Sequence, residues 1–242
     1  MDGNAWALAL AVAVPFIGAG TILALRNRPD AREAASLVTA VLTFLFAASS
    51  LPALFASGGA KTPPLSLLPG FTIQLQGDAL GLLFATLASF LWILTTIYSI
   101  GYMRGLGEHA QTRYYASFAL VIGATMGVAL SSNLFSLFIF YEILTVATYP
   151  LVVHKETEEA FAAGRKYLVY TLSGGVAILA GTFLLAGMGS SLDFVAGGAP
   201  SVATLAPAFA RLAFILLFAG FAVKAAVFPL HGWLPSAMIA PT

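Results

Sequence analysis

The sequence predicts an all-α polytopic membrane protein with about seven transmembrane helices. Hydrophobic residues make up 60% of the 242 residues and charged residues only 9%, whereas a soluble domain carries roughly 25% charged residues. Apolar runs of about 18 residues or more recur along the chain, and each is long enough to cross ~30 Å of hydrocarbon. The short alternating segments typical of a membrane β-barrel do not occur.

Seven hydrophobic segments follow one another along the chain. The predicted spans are residues 5–25, 35–56, 79–103, 114–131, 133–153, 166–187 and 208–239. No basic stretch precedes the first apolar run, which predicts a transmembrane span and not a signal peptide. Proline, glycine and polar residues over 57–78 predict non-helical chain, and Asp78 is predicted to cap the third helix.

The seventh segment contains two prolines and is predicted to be a broken helix. Pro229 lacks an N–H donor and crowds the carbonyl four residues earlier, that of Ala225, so the helix should open there. Pro235 is predicted to do the same to the carbonyl of His231. Broken helices at membrane depth are tolerated where they line protein or water, as in ion transporters.

Lysine and arginine residues predict the orientation of the chain. Eight of them follow the first, third and fifth spans, against two on the opposite side. The eight are Arg26, Arg28, Arg32, Arg104, Arg113, Lys155, Arg165 and Lys166, and the two are Lys61 and Arg211. Because cytoplasmic loops are enriched in basic residues, the N-terminus is predicted to lie outside and the C-terminus inside.

Two ionisable residues lie deep in predicted spans, Glu142 in the fifth and Lys224 in the seventh. A charge at the bilayer centre costs roughly 2.5–3.5 kcal/mol on insertion scales, so such residues usually have a partner or face water. If the two approach and separate, the lysine can alternately hold and release a proton. His231, seven residues beyond Lys224, is a further candidate for proton translocation, because histidine is the residue type that most readily gains and loses a proton in proteins.

Structural explanations of the same residues stay open. A Glu142–Lys224 pair could join two helices without moving protons, and His231 could be an interfacial residue with satisfied hydrogen bonds. Lys166, at the entrance of a span, is either a topology anchor or part of an ion path. The chain has no cysteine, HExxH, GxSxG or dinucleotide-binding motif, so no metal site, cofactor or catalysis by the chain alone is predicted.

Three stretches resemble the proton-conducting antiporter-like membrane subunits. They are GDALGLLFATLASFLWILTTIYSIGYM at 77–103, NLFSLFIFYEILTVATYPLVV at 133–153 and GFAVKAAVFPLHGWLPSAMIAPT at 220–242. This family includes subunits of respiratory complex I, membrane-bound hydrogenases and Mrp cation/proton antiporters, and the chain looks most similar to the D-type Mrp protein. The resemblance implies proton translocation, with the family's glutamate and lysine pair falling on Glu142 and Lys224 and its histidine on His231.

The resemblance also implies a domain organisation and partners. Residues 1–242 form a single membrane domain, with three helices in 1–110 and a first antiporter-like repeat, lacking its last helix, in 111–242. This is half of an antiporter-like fold with an incomplete inverted repeat. We therefore expect other integral membrane subunits as partners, one supplying the C-terminal half, unless these residues are part of a longer product.

The implied function is an ion-translocating subunit of a multisubunit complex in a prokaryotic inner (plasma) membrane. Protons, with sodium as a coupled ion, are the expected cargo, and any redox chemistry would be supplied by other subunits. No basic run suited to nucleic acid is present. The alternative is a structural scaffold that docks other membrane subunits and moves no ions itself.

Overall fold

The computed structural model describes residues 3–195, 197–198 and 206–240. Within these ranges it contains seven long helices, two short ones and a pair of strands. The elements are α1 (Gly3–Ala24), α2 (Pro29–Ser49), α3 (Leu51–Ser57), β1 (Leu65–Leu68), β2 (Phe71–Ile73), α4 (Ala79–Gly105), α5 (Gln111–Ala129), α6 (Leu134–Val152), α7 (Glu158–Gly187), α8 (Pro207–Lys224) and α9 (Trp233–Ala237). The long helices agree in number and order with the predicted spans.

Six of the long helices in the described ranges are long and apolar enough to cross a membrane. The exception is α5, which has 19 residues but begins with the polar residues Gln111, Thr112 and Arg113. The chain is a multi-pass membrane protein, as predicted. The predicted orientation of its N-terminus stays a prediction.

Two helices begin earlier than predicted. Helix α2 starts at Pro29 rather than residue 35, because proline is well suited to a first turn, where its missing N–H has no intrahelical partner. Helix α7 starts at Glu158 rather than residue 166, and the Thr157 hydroxyl accepts a hydrogen bond from the Ala160 N–H at 3.1 Å. Charged residues obscured both starts in the hydropathy pattern.

The linker over 57–78 is non-helical beyond Ser57, as predicted, and it adds a short hairpin to the fold. Strands β1 and β2 pair antiparallel, with Leu65 opposite Ile73. At the end of the linker, the Asp78 carboxylate accepts a hydrogen bond from the Gly81 N–H at 2.7 Å. This contact confirms the predicted cap of α4.

The predicted break in the seventh segment is confirmed, and its second part is corrected. Helix α8 ends at Lys224, five residues before Pro229, and the chain turns until α9 begins at Trp233. The prediction for Pro235 is wrong, because it is the third residue of α9, where a backbone N–H has no intrahelical partner. The carbonyl of His231 accepts a hydrogen bond from the Leu234 N–H at 2.9 Å.

The chain forms two compact units. Unit 1 comprises Met1–Pro64 with Gln74–Ser131, and unit 2 comprises Leu65–Ile73 with Ser132–Thr242. In unit 1, α1 packs on α2 and α5, and α4 packs on α2 and α5. The predicted repeat beginning at residue 111 is a different division of the chain and stays a prediction.

In unit 2, α7 packs against α6, α8 and α9. Helices α7 and α8 approach closely at two glycines, since a Cβ on Gly220 would lie 2.6 Å from the carbonyl oxygen of Gly174. Small residues let membrane helices pack backbone to backbone. This close packing places the C-terminal end of α8 beside α7 and within reach of α6.

Candidate functional site

Lys224 is the last residue of α8, and its side chain reaches helix α6. Its ammonium donates a hydrogen bond to the Thr145 hydroxyl oxygen at 2.8 Å. The same nitrogen lies 4.8 Å from the ring centroid of Tyr141 and 5.7 Å from that of Tyr167. Aromatic faces attract cations, and the C-terminal end of a helix carries partial negative charge. Among the described residues, the site therefore holds a positive charge without a directly bonded anion.

Glu142 lies on α6 one turn before Thr145, and residues three apart on a helix share a face. Its Oε1 atom is buried without a hydrogen-bond partner in the described part of the chain. That atom packs against Gly175 of α7, where any Cβ would collide with it. The carboxylate thus occupies space that a glycine leaves open, with one oxygen unsatisfied.

The predicted Glu142–Lys224 pair is brought into one site but not into contact. Among the described residues, no nitrogen–oxygen distance of 4.0 Å or less joins the two side chains. They interact electrostatically across the gap. Thr145 lies one helical turn from Glu142 along α6 and is directly hydrogen-bonded to the ammonium.

Three buried side chains hold the lysine's surroundings in place. The Thr145 hydroxyl donates to the carbonyl of Tyr141 at 3.1 Å, which leaves its oxygen lone pairs facing the ammonium. The Tyr167 hydroxyl donates to the carbonyl of Thr145 at 3.3 Å, and the Tyr141 hydroxyl to that of Gly220 at 3.3 Å. Because each donor already has a partner, the pocket around the ammonium is preorganised.

Trp233 makes contacts across the break that follows Lys224. The indole Nε1–H of Trp233 donates to the carbonyl of Val223 at 2.8 Å, and the same carbonyl accepts a second hydrogen bond from the Ala226 N–H at 3.1 Å. The indole ring also packs edge-on against Tyr167, with centroids 5.4 Å apart. The same aromatic cluster therefore contacts both the ammonium and the far side of the break.

Lys166 of α7 contacts the helix that follows the break, and His231 lies within the break. The Lys166 ammonium donates to the Ser236 hydroxyl of α9 at 3.1 Å. The Nδ1 atom of His231 is buried without a hydrogen-bond partner in the described residues, and its ring lies 5.5 Å from that of Phe228. No hydrogen bond or ion pair joins either residue to Glu142 or Lys224 within those residues.

Sequence reasoning missed the neutral members of this site. Thr145, Tyr141, Tyr167 and Gly175 carry no charge, so the cost of burying them in a membrane gives no signal. Thr145 could have been found from its position three residues after Glu142, since that spacing places its hydroxyl on the same helix face. Nothing in the sequence pattern indicates Gly175, which belongs to another helix.

Comparison with known proteins gives matches over most of the chain. Residues 131–242 match the family described as NADH:quinone oxidoreductase/Mrp antiporter, transmembrane. A Na(+)/H(+) antiporter subunit A1 of Staphylococcus aureus is 34% identical over 191 residues, covering 77% of this chain and 23% of that relative. The chain thus spans about a quarter of the relative's length. The likeness to the D-type Mrp protein in particular stays a prediction.

Two solved structures share the fold. A chain of the Mrp complex from Dietzia sp. DQ12-45-1b matches with a TM-score of 0.77 and 25% identity, over 98% of this chain and 44% of that one. A chain of the membrane-bound sulfane sulfur reductase, an archaeal respiratory membrane complex, matches with a TM-score of 0.79 and 23% identity, over 96% and 47%. These findings confirm the resemblance seen in the sequence: residues 131–242 belong to the antiporter-like membrane subunit family, and the chain is a multi-pass protein of a prokaryotic plasma membrane.

Proposed function

We propose that the chain is an ion-translocating subunit in which Glu142 and Lys224 form a proton relay. The observation that carries the proposal is that Lys224 is bonded to a neutral hydroxyl while a buried carboxylate oxygen of Glu142 nearby has no hydrogen-bond partner among the described residues. A pair serving only to join helices would be expected to close into a direct ion pair, because an isolated buried charge is costly.

The relay step moves one proton between the two side chains. An N–H bond of the Lys224 ammonium breaks and an O–H bond forms on Glu142, leaving a neutral amine and a neutral acid. The proton crosses either after rotation of the lysine side chain or through the Thr145 hydroxyl. For the second route the Thr145 O–H must first turn from the Tyr141 carbonyl towards Glu142, so that it gives up its own proton as it accepts one from the ammonium. Release from the acid and reloading of the amine restore the starting charges.

Lys166 and His231 are proposed to load the relay from the chain beyond the break. Lys166 is hydrogen-bonded to α9, and the Nδ1 of His231, which has no partner among the described residues, is an acceptor available for a proton. His231 lies within the turn between Lys224 and Trp233, and Lys166 contacts the helix that follows this turn. Their contribution to flux is proposed to be smaller than that of Glu142, because neither contacts Lys224.

Sodium is the proposed coupled ion, since the Staphylococcus aureus relative is named a Na(+)/H(+) antiporter subunit. Because the chain covers 23% of that relative, other integral membrane subunits are proposed to supply the remaining transport machinery. They include one that would provide the C-terminal half of the antiporter fold.

The test measures proton flux per assembled complex in inverted membrane vesicles with a pH-sensitive dye. Glu142→Gln and Lys224→Ala are each expected to lower flux at least tenfold, with the amount of complex on native gels unchanged. Lys155→Gln, which alters an exposed loop lysine, is the matched control and should retain full flux.

Two outcomes would contradict the relay. Normal flux from a normally assembled Glu142→Gln complex would show that the carboxylate carries no proton. A fall in complex abundance with normal flux per complex would instead support the structural scaffold, because the two charges would then be needed for docking alone.

A further inference from the structure

We propose that a groove between α1 and α2 binds an anionic phospholipid, with an acyl chain in the groove and the phosphate at Arg26 and Arg28. The groove has a volume of about 400 Å³. Its walls are residues between Val14 and Leu25 of the first helix and its turn and between Ala35 and Leu42 of the second. It lies wholly within unit 1 and is separate from the relay.

The surface of the groove is apolar. Two hydroxyl side chains line it, and both are satisfied within their own helices. The Thr21 hydroxyl donates to the carbonyl of Gly18 at 2.8 Å, and the Thr39 hydroxyl donates to that of Ala35 at 2.7 Å. The remaining wall is aliphatic. A surface without free donors suits hydrocarbon better than water or a polar ligand.

The length of the groove matches one leaflet of a bilayer. Val14 and Leu25 are eleven residues apart, or about 16 Å at ~1.5 Å per residue, which is roughly half of the ~30 Å hydrocarbon core. The floor is fixed where α1 and α2 touch, since any Cβ at Gly18 would collide with Thr39. A single extended acyl chain therefore fits along the wall without moving the helices.

Two uncompensated positive charges follow directly after the end of the groove. Arg26 and Arg28 are exposed and form no ion pair or side-chain hydrogen bond among the described residues. The nearby carboxylates of Asp30 and Glu33 are both bound by Arg104. The two arginines are thus free to bind an anion.

The combination of charge and groove favours a lipid over a free anion. Guanidinium groups bind phosphate through paired hydrogen bonds, and Arg26 follows the groove residue Leu25 directly. On the predicted topology this end faces the cytoplasmic leaflet, whose anionic lipids are attracted to basic residues next to a membrane helix. A headgroup phosphate with its acyl chain would satisfy both features at once.

The test uses the purified full chain, delipidated in detergent and titrated with dioleoyl phosphatidylglycerol or dioleoyl phosphatidylcholine. Bound lipids are counted by native mass spectrometry. The chain is expected to bind one phosphatidylglycerol at least tenfold more tightly than phosphatidylcholine. Combined Arg26→Gln and Arg28→Gln should weaken phosphatidylglycerol binding about 25-fold, or about fivefold (~1 kcal/mol) for each arginine. Arg165→Gln, another exposed arginine, is the control and should change nothing.

A second variant tests the groove itself. Thr21→Trp fills it and should abolish binding of both lipids, whereas Leu23→Trp should have no effect. Leu23 is 52% exposed and lies about 200° around the same helix from Thr21. Circular dichroism checks that both variants keep their helix content. If Thr21→Trp fails to fold, the arginine variants still decide the charge requirement.

Five results would overturn the proposal. They are equal affinity for the two lipids, unchanged binding in the double arginine variant, and phosphatidylglycerol binding by a folded Thr21→Trp chain. The fourth is displacement of phosphatidylglycerol by inorganic phosphate at equal concentration, which would indicate a free-anion site. A photo-crosslinker at position 21 that labels another polypeptide instead of lipid in membranes would assign the groove to a partner helix.

Discussion

Both units contain charged side chains close to one another, but they are arranged differently. In unit 1, Arg104 binds Glu33 at 2.6 Å and Asp30 at 2.5 Å, so each charge has a direct partner. In unit 2, Glu142 and Lys224 share a site without an ion pair of 4.0 Å or less. The first arrangement neutralises its charges, and the second keeps them apart.

This difference distinguishes charges that stabilise the fold from charges that can release or accept a proton. In unit 1, Arg32 also contacts Glu33 and so belongs to the same charged cluster as Arg104. Its guanidinium donates to Gln111 at 2.8 Å and to Thr112 at 3.1 Å, and it lies 5.4 Å from the ring centroid of Tyr115. Moving a proton out of such a network would break several contacts at once. Lys224 has one hydrogen bond among the described residues, so its proton can leave at lower cost.

The largest expected effect comes from removing Glu33, the acid that Arg32 and Arg104 share in unit 1. Glu33→Ala leaves the buried Arg32 and the half-exposed Arg104 without their common carboxylate, and breaking a buried pair such as Arg32–Glu33 costs about 3 kcal/mol or more. The free energy of unfolding should fall by about that amount, measured by thermal or denaturant unfolding of the purified chain. Glu142→Gln should change stability far less.

Asp30→Asn is the control within the same cluster. Its side chain is 92% exposed, and exposed ion pairs contribute about 0–1 kcal/mol. If Glu33→Ala unfolds at the same midpoint temperature or denaturant concentration as the wild type, the charged cluster around Glu33 does not stabilise unit 1.

An intermediate effect is expected when Thr145→Val removes the hydroxyl between acid and base. A hydrogen bond to a charged group contributes about 1.5–3 kcal/mol, so proton flux per complex should drop roughly tenfold or more. Thr145→Ser keeps the hydroxyl and should restore most of the flux. Equal flux from the valine and serine variants would exclude Thr145 from the relay.

The smallest expected effect is that of Gly175→Ala, which adds a methyl group where the Glu142 carboxylate now packs. The carboxylate must rotate away, and we expect flux to fall about fivefold with the complex still assembled. Gly187→Ala is the matched control on the same helix, because a Cβ there has nothing within 4 Å. Identical flux in the two variants would mean that the position of the carboxylate is unimportant.

The features that follow from hydropathy and from the cost of burying charge in a membrane could be predicted from the sequence. The long helices, the break before Pro229 and the pair Glu142 and Lys224 were all predicted from hydropathy, proline chemistry and the cost of intramembrane charge. The structure places both charges in one site. It also shows that Asp78 and Thr157 cap the helices that follow them, the first as predicted.

Features that depend on partners from distant parts of the chain could not be predicted. The segment containing Asp30 to Glu33 reads as a polar loop until Arg104, some seventy residues later, is known to neutralise its acids. Gly175 matters only because α7 passes the Glu142 carboxylate. Pro235 was misread because its effect depends on where the next helix starts, which local sequence does not determine.

The indole bond from Trp233 to Val223 ties the two ends of the interruption together across ten residues. This hydrogen bond opposes sliding of α8 along its axis, a movement that would carry the ammonium through the membrane. Displacement of that charge must then come mainly from torsion about the four-carbon stem and not from a shift in helix register, which takes microseconds to milliseconds. Under the proposed mechanism, the distance over which the charge moves is therefore set by the length of the lysine side chain.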